Sequence, residues 1–516
     1  MAWPRSPKGQ GATVSETYLT SATGSVDFVA RHGLWTDAQR EAAAEVLARL
    51  ESLEFVRVVF GDPHGIARSK VISAPVFATV LRNGMDFSPG PFVFDTGHAV
   101  AIDFFASGGG IGVDELTGAG DFIVVPDPTT FRVLPHTGRP TGWVIGDEYL
   151  RDGTPHPLSS RAALRRQVDA LAARDLEFVV GLEVEWYLTR FTDGGRPKRI
   201  GGFGVQGEPP TVEAVNGGYQ FNSDSLLDAV MPVIDPVLEA LVALGLPLRG
   251  IEHESGPGQL EFTFNPMPGL AAADAMLLLR TITKQVLARS GHHASFMALP
   301  ALDGFDPSGW HLHQSLAQRS TGRNLFTAEP GGSALSPMGM AYLGGLIEHA
   351  GASSLLCVPT VNGYRRMREG FSLSPDRVAW CTENRGAFLR VLGAHGDAAS
   401  HVENRIGEPT ANPYLYLVGQ VSAGVDGVDR TLDPGPPAAD PHAGTAAALP
   451  RQLDEALETF AESRFYQTVL GSELHRCLSA LKASEWARYE QWLAKVEPTQ
   501  DDDVTEWEHR EYFGTF

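Results

Sequence analysis

Cysteine is scarce in this sequence, which has three in 516 residues, at Cys357, Cys381 and Cys477. An odd number of cysteines so far apart favours neither a disulfide framework nor a thiolate zinc site. No apolar run approaches the ~18 residues that a membrane-spanning helix needs, and the first residues lack the apolar core of a signal peptide. These absences predict a cytoplasmic protein without a membrane span.

Positive charge is also in short supply. The chain carries 41 Lys and Arg against 62 Asp and Glu, a formal net charge of −21. Such a balance argues against a nucleic-acid or anionic-membrane partner. The hydrophobic share of 43% and the charged share of 20% are typical of globular proteins. At roughly 100 to 200 residues per domain, the length suggests two or three domains.

Composition and periodicity divide the chain into three parts. Residues 1–25 are small and polar, and we predict that they are disordered. Residues 26–145 contain a helix followed by short strands and turns, which predicts a strand-rich N-terminal domain. Residues 155–516 alternate helices with strands, and Gln452–Lys495 has the spacing of two or three helices. This part is predicted to be a large α/β catalytic domain.

Five scattered segments share one pattern, in which charged or imidazole side chains alternate with apolar ones. Because successive side chains of a strand point to opposite faces, Glu183 and Glu185 share one face and the apolar residues between them share the other. A sheet face lined with carboxylates, imidazoles and guanidiniums is costly to bury without counter-ions. Divalent metals and an anionic substrate would supply them. The segments are Gly181–Leu188, Glu252–Phe264, Trp310–Leu316, Asn384–Leu392 and His401–Ile406.

The order of these motifs resembles the glutamine synthetase superfamily: ExE, then HE and GQxE, HxHxS, NR with RxL, and ExRxxE leading to NPYL. The resemblance extends from about Glu51 to the EWEHREYF tail, Glu506–Phe513. It implies an α+β protein, with a small N-terminal β-grasp domain followed by a large catalytic domain whose sheet has an inward-facing polar side. It also implies a homo-oligomer of ring type, a hexamer or dodecamer, with active sites between subunits.

The resemblance implies an ATP-dependent ligase that forms a γ-glutamyl amide through an acyl phosphate, and it assigns roles to individual residues. Mostly carboxylate ligands favour Mg²⁺ or Mn²⁺ over zinc. By motif position Glu185, Glu254 and Glu261 would hold a first metal, and Glu183, His311 and Glu403 a second. Arg385 and Arg390 would act on the transferring phosphoryl group, Arg366 and Arg405 would bind carboxylates of the amino acid, and Ser315 and His313 would contact the nucleotide.

Several departures from the family pattern concern the amino acid and the amine. Asp306-Pro307 replaces an Asn-Gly pair that meets the amino acid, and Gly370–Pro375 (GFSLSP) lacks the glutamate that helps to deprotonate ammonium. The ammonium-binding aspartate has only an ill-aligned match in Asp86, and His401 replaces an arginine that pairs with nucleotide phosphate. Loss of two anionic groups removes a trap for a small cation. We therefore predict that glutamate is joined to an alkylamine, polyamine, ethanolamine or aromatic amine.

Three alternatives stay open at the level of sequence. The protein could be a true glutamine synthetase that uses ammonia, or a catalytically silent, ring-forming relative, although a scaffold has no need for six metal-ligand positions. The HLH of His311–His313 also suggests a metal-dependent amide hydrolase on a barrel. Such enzymes, however, place HxH on their first strand, whereas here it occurs at mid-chain.

Overall fold

The protein is described by a computed structural model that covers residues 26–195, 199–367, 373–443, 446–496 and 504–516. The predicted disordered segment, 1–25, lies outside these residues. Two compact units form: a smaller one from the described residues up to Phe60, Ser69–Phe87 and Phe122–Pro155, and a larger one from Gly61–Arg68, Ser88–Asp121 and His156–Phe516. The predicted domains, 26–145 and 155–516, are continuous in sequence, whereas the observed smaller unit is interrupted twice.

The smaller unit contains a six-stranded sheet in the order β2-β1-β6-β4-β3, with β5 paired to β6. Val56 and Val58 of β1 are fully buried, because β1 pairs with the almost wholly buried β6. The strands are β1 Phe55–Gly61, β2 Ala67–Ser73, β3 Met85–Phe87, β4 Phe122–Pro126, β5 Arg132–Val133 and β6 Thr141–Tyr149. This is the strand-rich N-terminal part that the sequence predicts.

The described residues of the smaller unit form three α-helices: α1 Phe28–His32, α2 Asp37–Arg49 and α3 Ala74–Asn83. Helix α2 starts after a capping box in which Thr36 and Gln39 satisfy each other's backbone N–H groups. It ends at Arg49, where the chain tightens into a 3₁₀ turn at Leu50–Ser52. Phe77 of α3 is fully buried.

The larger unit is built on a ten-stranded sheet with the main order β14-β15-β16-β13-β7-β10-β9. Strand β7, 16 residues long, is its hub, because it also pairs with β8, β11 and β12. The strands are β7 Leu176–Phe191, β8 Val212–Ala214, β9 Leu248–His253, β10 Gln259–Phe264, β11 Met267–Pro268, β12 His292–Ser295, β13 Trp310–Gln318, β14 Trp380–Thr382, β15 Leu389–Leu392 and β16 His401–Asn404.

The helices of the larger unit include the predicted C-terminal group, which forms three helices within Gln452–Lys495. No helix in the described part of the chain is both long enough and apolar enough to cross a bilayer. The helices are α4 Gly90–Val93, α5 Ser160–Ala172, α6 Asp224–Ala243, α7 Gly269–Arg289, α8 Pro337–Glu348, α9 Ala350–Cys357, α10 Pro413–Arg430, α11 Leu453–Ala461, α12 Arg464–Leu470, α13 Ser472–Leu493 and α14 Glu506–Tyr512.

The predicted alternation along β7 is confirmed. Leu182, Val184 and Trp186 are buried beneath the sheet, while Glu183 and Glu185 lie on its opposite, partly accessible face. The prediction that Glu252–Phe264 is a single extended segment is wrong. The chain turns between β9 and β10, and these two strands pair antiparallel. The turn ends at Gly258, whose φ of +72° favours a residue without a side chain.

Candidate active site

Strand register gathers the polar side chains of the larger unit onto one face of the sheet. Directly opposed residues in neighbouring strands have Cβ atoms about 4.5 to 5.5 Å apart, so their side chains meet. Segments far apart in sequence therefore contribute to one surface, which we call the polar face. The opposed pairs are His311 and Glu183, Glu261 and Glu185, Glu261 and Glu252, His313 and Glu403, and Arg390 and Glu403.

Glu183 bridges the two histidines of β13. Its Oε1 lies 2.6 Å from Nδ1 of His311, and its Oε2 lies 3.0 Å from Nε2 of His313. Burial acts to raise the pKa of Glu183, but the hydrogen bonds with the two histidines outweigh it and lower this pKa. Burial lowers the pKa of His311. Glu183 is thus held as a carboxylate against an imidazole that tends to be neutral, a pairing typical of metal ligands.

Three further carboxyl groups crowd together beside this bridge. Burial, followed by repulsion from neighbouring carboxylates, raises the pKa of Glu185 to about 8, of Glu254 to about 7 and of Glu261 to about 10. Gly309 N–H, 2.9 Å from Oε2, supplies Glu185 with one compensating hydrogen bond. Buried carboxylates that cannot all ionise together need a cation among them. A divalent metal fits this environment, since its charge would allow all three groups to ionise.

The polar face contains three groups of possible metal ligands whose donor atoms lie within 4.8 Å of one another. They are Glu183, Glu261 and His311; Glu183, His313 and Glu403; and Glu252, Glu254 and Glu261. All six predicted metal ligands are on this face, although Glu185 falls outside these tightest groups. Glu252 and His313 were not predicted as ligands. Glu252 could have been suggested by its spacing from Glu254, which repeats the ExE pattern of β7.

Two arginines, Arg390 and Arg405, extend the polar face beyond the carboxylates by binding Glu403. Oε1 of Glu403 accepts a hydrogen bond from Nη1 of Arg405 at 2.5 Å, and Oε2 accepts one from Nη1 of Arg390 at 3.1 Å. Nη2 of Arg390 donates to Glu383 at 2.8 Å, a residue that none of the sequence motifs indicates as functional. Burial acts to raise the pKa of Glu403, but His311 and Arg405 lower it overall.

The other two predicted arginines are placed differently. Arg366 is buried, and its Nη1 donates to the carbonyls of Ile406 and Gly407 at 2.8 and 2.9 Å. Arg385 is exposed, and its backbone carbonyl accepts a hydrogen bond from Nε of Arg405 at 2.7 Å. Arg366 is therefore fixed in place by backbone, whereas the side chain of Arg385 can reach a ligand in solvent.

A cavity of about 440 Å³ opens beside Glu185 and Glu254. Arg366 and Arg405 line it, together with Asp306 and Pro307. Asp306 and Pro307 belong to one loop, which the hydroxyl of Tyr187 holds in place. This hydroxyl accepts a hydrogen bond from Asp306 N–H at 2.6 Å and donates one to Asp306 C=O at 2.8 Å. The apolar part of the wall consists of Leu299, Phe305, Pro307 and Leu373.

The predicted nucleotide contacts lie along β13. His313 contacts both Glu183 and His401, the histidine that stands where the family resemblance implies an arginine. Ser315 follows two residues later and is buried. Asp86 is part of the smaller unit, where its carboxylate lies 3.6 Å from Nη2 of Arg151. Of the loop Gly370–Pro375, the first three residues lie outside the described part of the chain, and Leu373 and Ser374 line the cavity.

Comparison with known proteins agrees with this architecture. Residues 157–500 match the family described as glutamine synthetase, catalytic domain. A gamma-glutamylanilide synthase from Acinetobacter sp is 42% identical over 95% of this chain and 99% of its own length. A glutamine synthetase from Pyrococcus abyssi is 30% identical over 90% of this chain and 97% of its own. The solved structure of ligand-free GmaS superposes with a TM-score of 0.72 at 27% identity, covering 90% of this chain and 98% of that one.

The fold and the polar face therefore define an ATP-dependent carbon–nitrogen ligase. The chain belongs to the glutamine synthetase family. Its N-terminal sheet and its large catalytic unit are those that the motif order predicted. The alternative of a barrel hydrolase is wrong, since His311 and His313 lie on β13 of a ten-stranded sheet of the glutamine synthetase type.

Proposed function

We propose that this protein joins glutamate to an organic amine through its γ-carboxyl group. A γ-carboxylate oxygen attacks the γ-phosphorus of ATP, giving ADP and γ-glutamyl phosphate. The amine nitrogen then attacks the acyl carbon, phosphate leaves with the bridging oxygen, and the nitrogen releases one proton. The products are a γ-glutamyl amide, ADP and phosphate.

One observation carries this proposal: the polar face, suited to phosphoryl transfer, borders a cavity with a partly apolar wall. Leu299, Phe305, Pro307 and Leu373 carry no charge, and they can contact the carbon skeleton of an amine, which ammonia lacks. The relative that is 42% identical is a gamma-glutamylanilide synthase, which supports an aromatic amine as the first candidate. We rank ammonia below organic amines for the same reasons.

We assign two divalent cations, Mg²⁺ or Mn²⁺, to the polar face. Glu185, Glu254 and Glu261 would hold one, with Glu252 nearby as a further ligand. Glu183, His311 and Glu403 would hold the other, with His313 nearby. Such cations neutralise phosphate oxygens during phosphoryl transfer. Carboxylate-rich sites suit these two metals better than zinc.

The arginines divide between phosphate and substrate. Arg385 and Arg390 are assigned to the phosphoryl group, because a guanidinium fork matches the charge that develops on its oxygens. Arg366 and Arg405, which line the cavity, are assigned to the carboxylates of glutamate. His313 and Ser315 are assigned to the nucleotide. We further propose a homo-oligomeric ring, hexamer or dodecamer, with active sites between subunits.

ATP-dependent phosphate release by the purified protein tests the proposal. Reactions would contain Mg²⁺ or Mn²⁺, L-glutamate and one member of a panel comprising aniline, ethylamine, ethanolamine, putrescine and ammonia, with products identified by mass. Glu254→Gln should lose activity, and Glu213→Gln, an exposed glutamate paired with Arg190, should keep it. A γ-glutamyl adduct of an organic amine with little glutamine is expected. Efficient glutamine formation would favour the ammonia enzyme, and no turnover with any amine the silent relative.

A further inference from the structure

One of the two arginines predicted to bind the phosphoryl group, Arg390, is hydrogen-bonded to an exposed carboxylate. Oε2 of Glu383 accepts a hydrogen bond from Nη2 of Arg390 at 2.8 Å. On its other side, Arg390 donates to Glu403 through Nη1. The guanidinium is therefore flanked by two anions of the protein itself.

The two anions differ in how firmly they are held. Glu403 is fully buried and also accepts from Arg405, so it belongs to the fixed framework of the polar face. The side chain of Glu383 is 57% exposed, while that of Arg390 is only 10% exposed. An exposed carboxylate can exchange its partner for water at small cost, whereas a buried one cannot. Of the two anions, Glu383 is the one that a ligand can displace.

The backbone at Glu383 also argues for a constrained arrangement. Its φ is +56°, a left-handed conformation that is uncommon for residues other than glycine, asparagine and aspartate. The residue opens the loop 383–388 between β14 and β15, which also carries Arg385. Asn384 turns this loop by accepting from Gly386 N–H at 2.9 Å. The loop thus starts at the ion pair with Arg390 and continues directly to the other predicted phosphoryl-binding arginine.

Arg390 keeps hydrogen-bonding capacity for a further anion. Its Nε has no hydrogen-bond partner among the described residues, although the atom is buried. A buried donor without a partner is unusual in native structures and points to a group that binds there. The transferring phosphoryl group, with three acceptor oxygens, would supply that partner and compete with Glu383 for the guanidinium.

We propose that Glu383 sets the affinity of the phosphoryl site by occupying Arg390 until the γ-phosphoryl group of ATP displaces it. This inference rests on the role of Arg390 in the proposed function. The carboxylate acts as a stand-in anion: it lowers the affinity for free phosphate, and it leaves Arg390 paired when the site is empty. The ligand class is a nucleoside triphosphate, whose γ-phosphoryl group competes, as distinct from a diphosphate, which lacks that group.

Equilibrium binding of two nucleotides by the full-length protein tests this inference. The probes are Mg²⁺-ADP and the Mg²⁺ complex of a non-hydrolysable ATP analogue, measured by calorimetry. Glu383→Gln removes the competing charge, and Glu383→Gly removes the side chain while accepting the φ of +56°. Both variants should bind the triphosphate analogue about threefold to fivefold more tightly, the size typical of an exposed ion pair, with ADP binding unchanged. Glu213→Gln, which loses a comparable exposed pair with Arg190, should bind both as the wild type does.

The possible outcomes separate the inference from the proposed function. Unchanged triphosphate affinity in both Glu383 variants would overturn displacement. Weaker triphosphate binding would also overturn it, because it would mean that Glu383 positions Arg390. If the wild type binds neither nucleotide, both the inference and the ATP-dependent reaction fail. If nucleotide binding behaves as expected but no amine is turned over, only the assignment of substrates fails.

Discussion

Nδ1 of His313 lies 2.9 Å from Nε2 of His401, while Nε2 of the same ring lies 3.0 Å from Oε2 of Glu183. Nδ1 of His401 is in turn 2.6 Å from the carbonyl oxygen of Ala399. His401 must donate a proton to that carbonyl, so its Nε2 is the atom that accepts from His313 when the ring is neutral. The backbone at Ala399 therefore orients His313 through His401.

Replacement of His401 should weaken nucleotide use without destroying the fold. His401→Ala removes one hydrogen bond that orients His313, and the loss of about 1 kcal/mol corresponds to a rise of about fivefold in KM for ATP. Steady-state kinetics at saturating glutamate and amine measure this change. His395→Ala, an exposed histidine of the preceding loop, is the control. Equal KM values for ATP in the His401 variant and the wild type would refute the orienting role.

Metal binding should stabilise the protein through the crowded carboxylates. At one hundred times its dissociation constant, a ligand that binds only the folded state contributes about 2.7 kcal/mol. Thermal unfolding in Mn²⁺ and in EDTA should therefore differ by about 2 to 3 degrees per site for the wild type, and Glu261→Gln should lose most of that shift. In EDTA the variant should unfold near the wild-type temperature, since a pKa raised by burial to about 10 leaves Glu261 uncharged at neutral pH.

A substitution on β7, the strand next to the one that carries Glu261, controls for the loss of a glutamate from this sheet. Glu177→Gln alters another glutamate of β7 that is outside the three ligand groups. It should keep the full Mn²⁺-dependent shift. An equal loss of that shift in both variants would count against a specific metal site at Glu261.

The hydroxyl of Tyr187 should control binding of the acid substrate. Tyr187→Phe leaves the N–H and C=O of Asp306 without their partner, which should cost about 1 to 2 kcal/mol in free energy of unfolding and loosen the cavity wall. KM for glutamate should rise severalfold, with KM for ATP unchanged. Tyr219→Phe removes a hydroxyl that bonds only the nearby Gly304 carbonyl among the described residues, and it should show a smaller effect. A parallel rise of both KM values in Tyr187→Phe would indicate general loosening instead.

Stability should fall as the solution is made acidic, partly because of two buried histidines. Burial lowers the pKa of His156 and of His293 to about 3, from about 6.5 in the unfolded chain. Between these values the unfolded state binds more protons, so the stabilisation is complete above about pH 6.5 and is lost as pH falls towards 3. Each histidine contributes a slope of about 1.4 kcal/mol per pH unit.

Urea unfolding between pH 7 and pH 5 measures this dependence. His156→Gln should reduce the slope by the contribution of one histidine, because glutamine does not titrate. His395→Gln, at an exposed position, should leave the slope unchanged. An identical slope in His156→Gln and the wild type would show that His156 is already charged in the folded protein or remains neutral in both states.

The alternation of residues within single strands was enough to predict which side chains share the polar face. Glu183 and Glu185 lie together because a strand has a period of two residues, and this holds wherever the strand is placed. The opposition of His311 to Glu183 depends on pairing between segments more than a hundred residues apart. That register follows from tertiary packing, so only the resemblance to a known family could suggest it.

Two features of the structure had no signal in the sequence, and a third had a signal that the prediction did not use. Glu383 belongs to a loop, and its contact with Arg390 depends on a left-handed backbone conformation that glutamate seldom adopts. Residues 61–68 and 88–121 belong to the larger unit, a division that hydrophobic periodicity does not report. The turn between β9 and β10 was within reach, since Gly256-Pro257-Gly258 is a strong breaker of extended structure.

Strand β7 pairs with five other strands, and it carries Glu183 and Glu185, residues of both proposed metal sites. A shift of this strand by one residue would turn every one of its carboxylates to the wrong side of the sheet. The loops around Phe305 and Leu373 do not share this constraint, so residues that line the cavity can change while the carboxylates of β7 keep their places. We therefore expect the choice of nucleophile to vary separately from the phosphoryl chemistry.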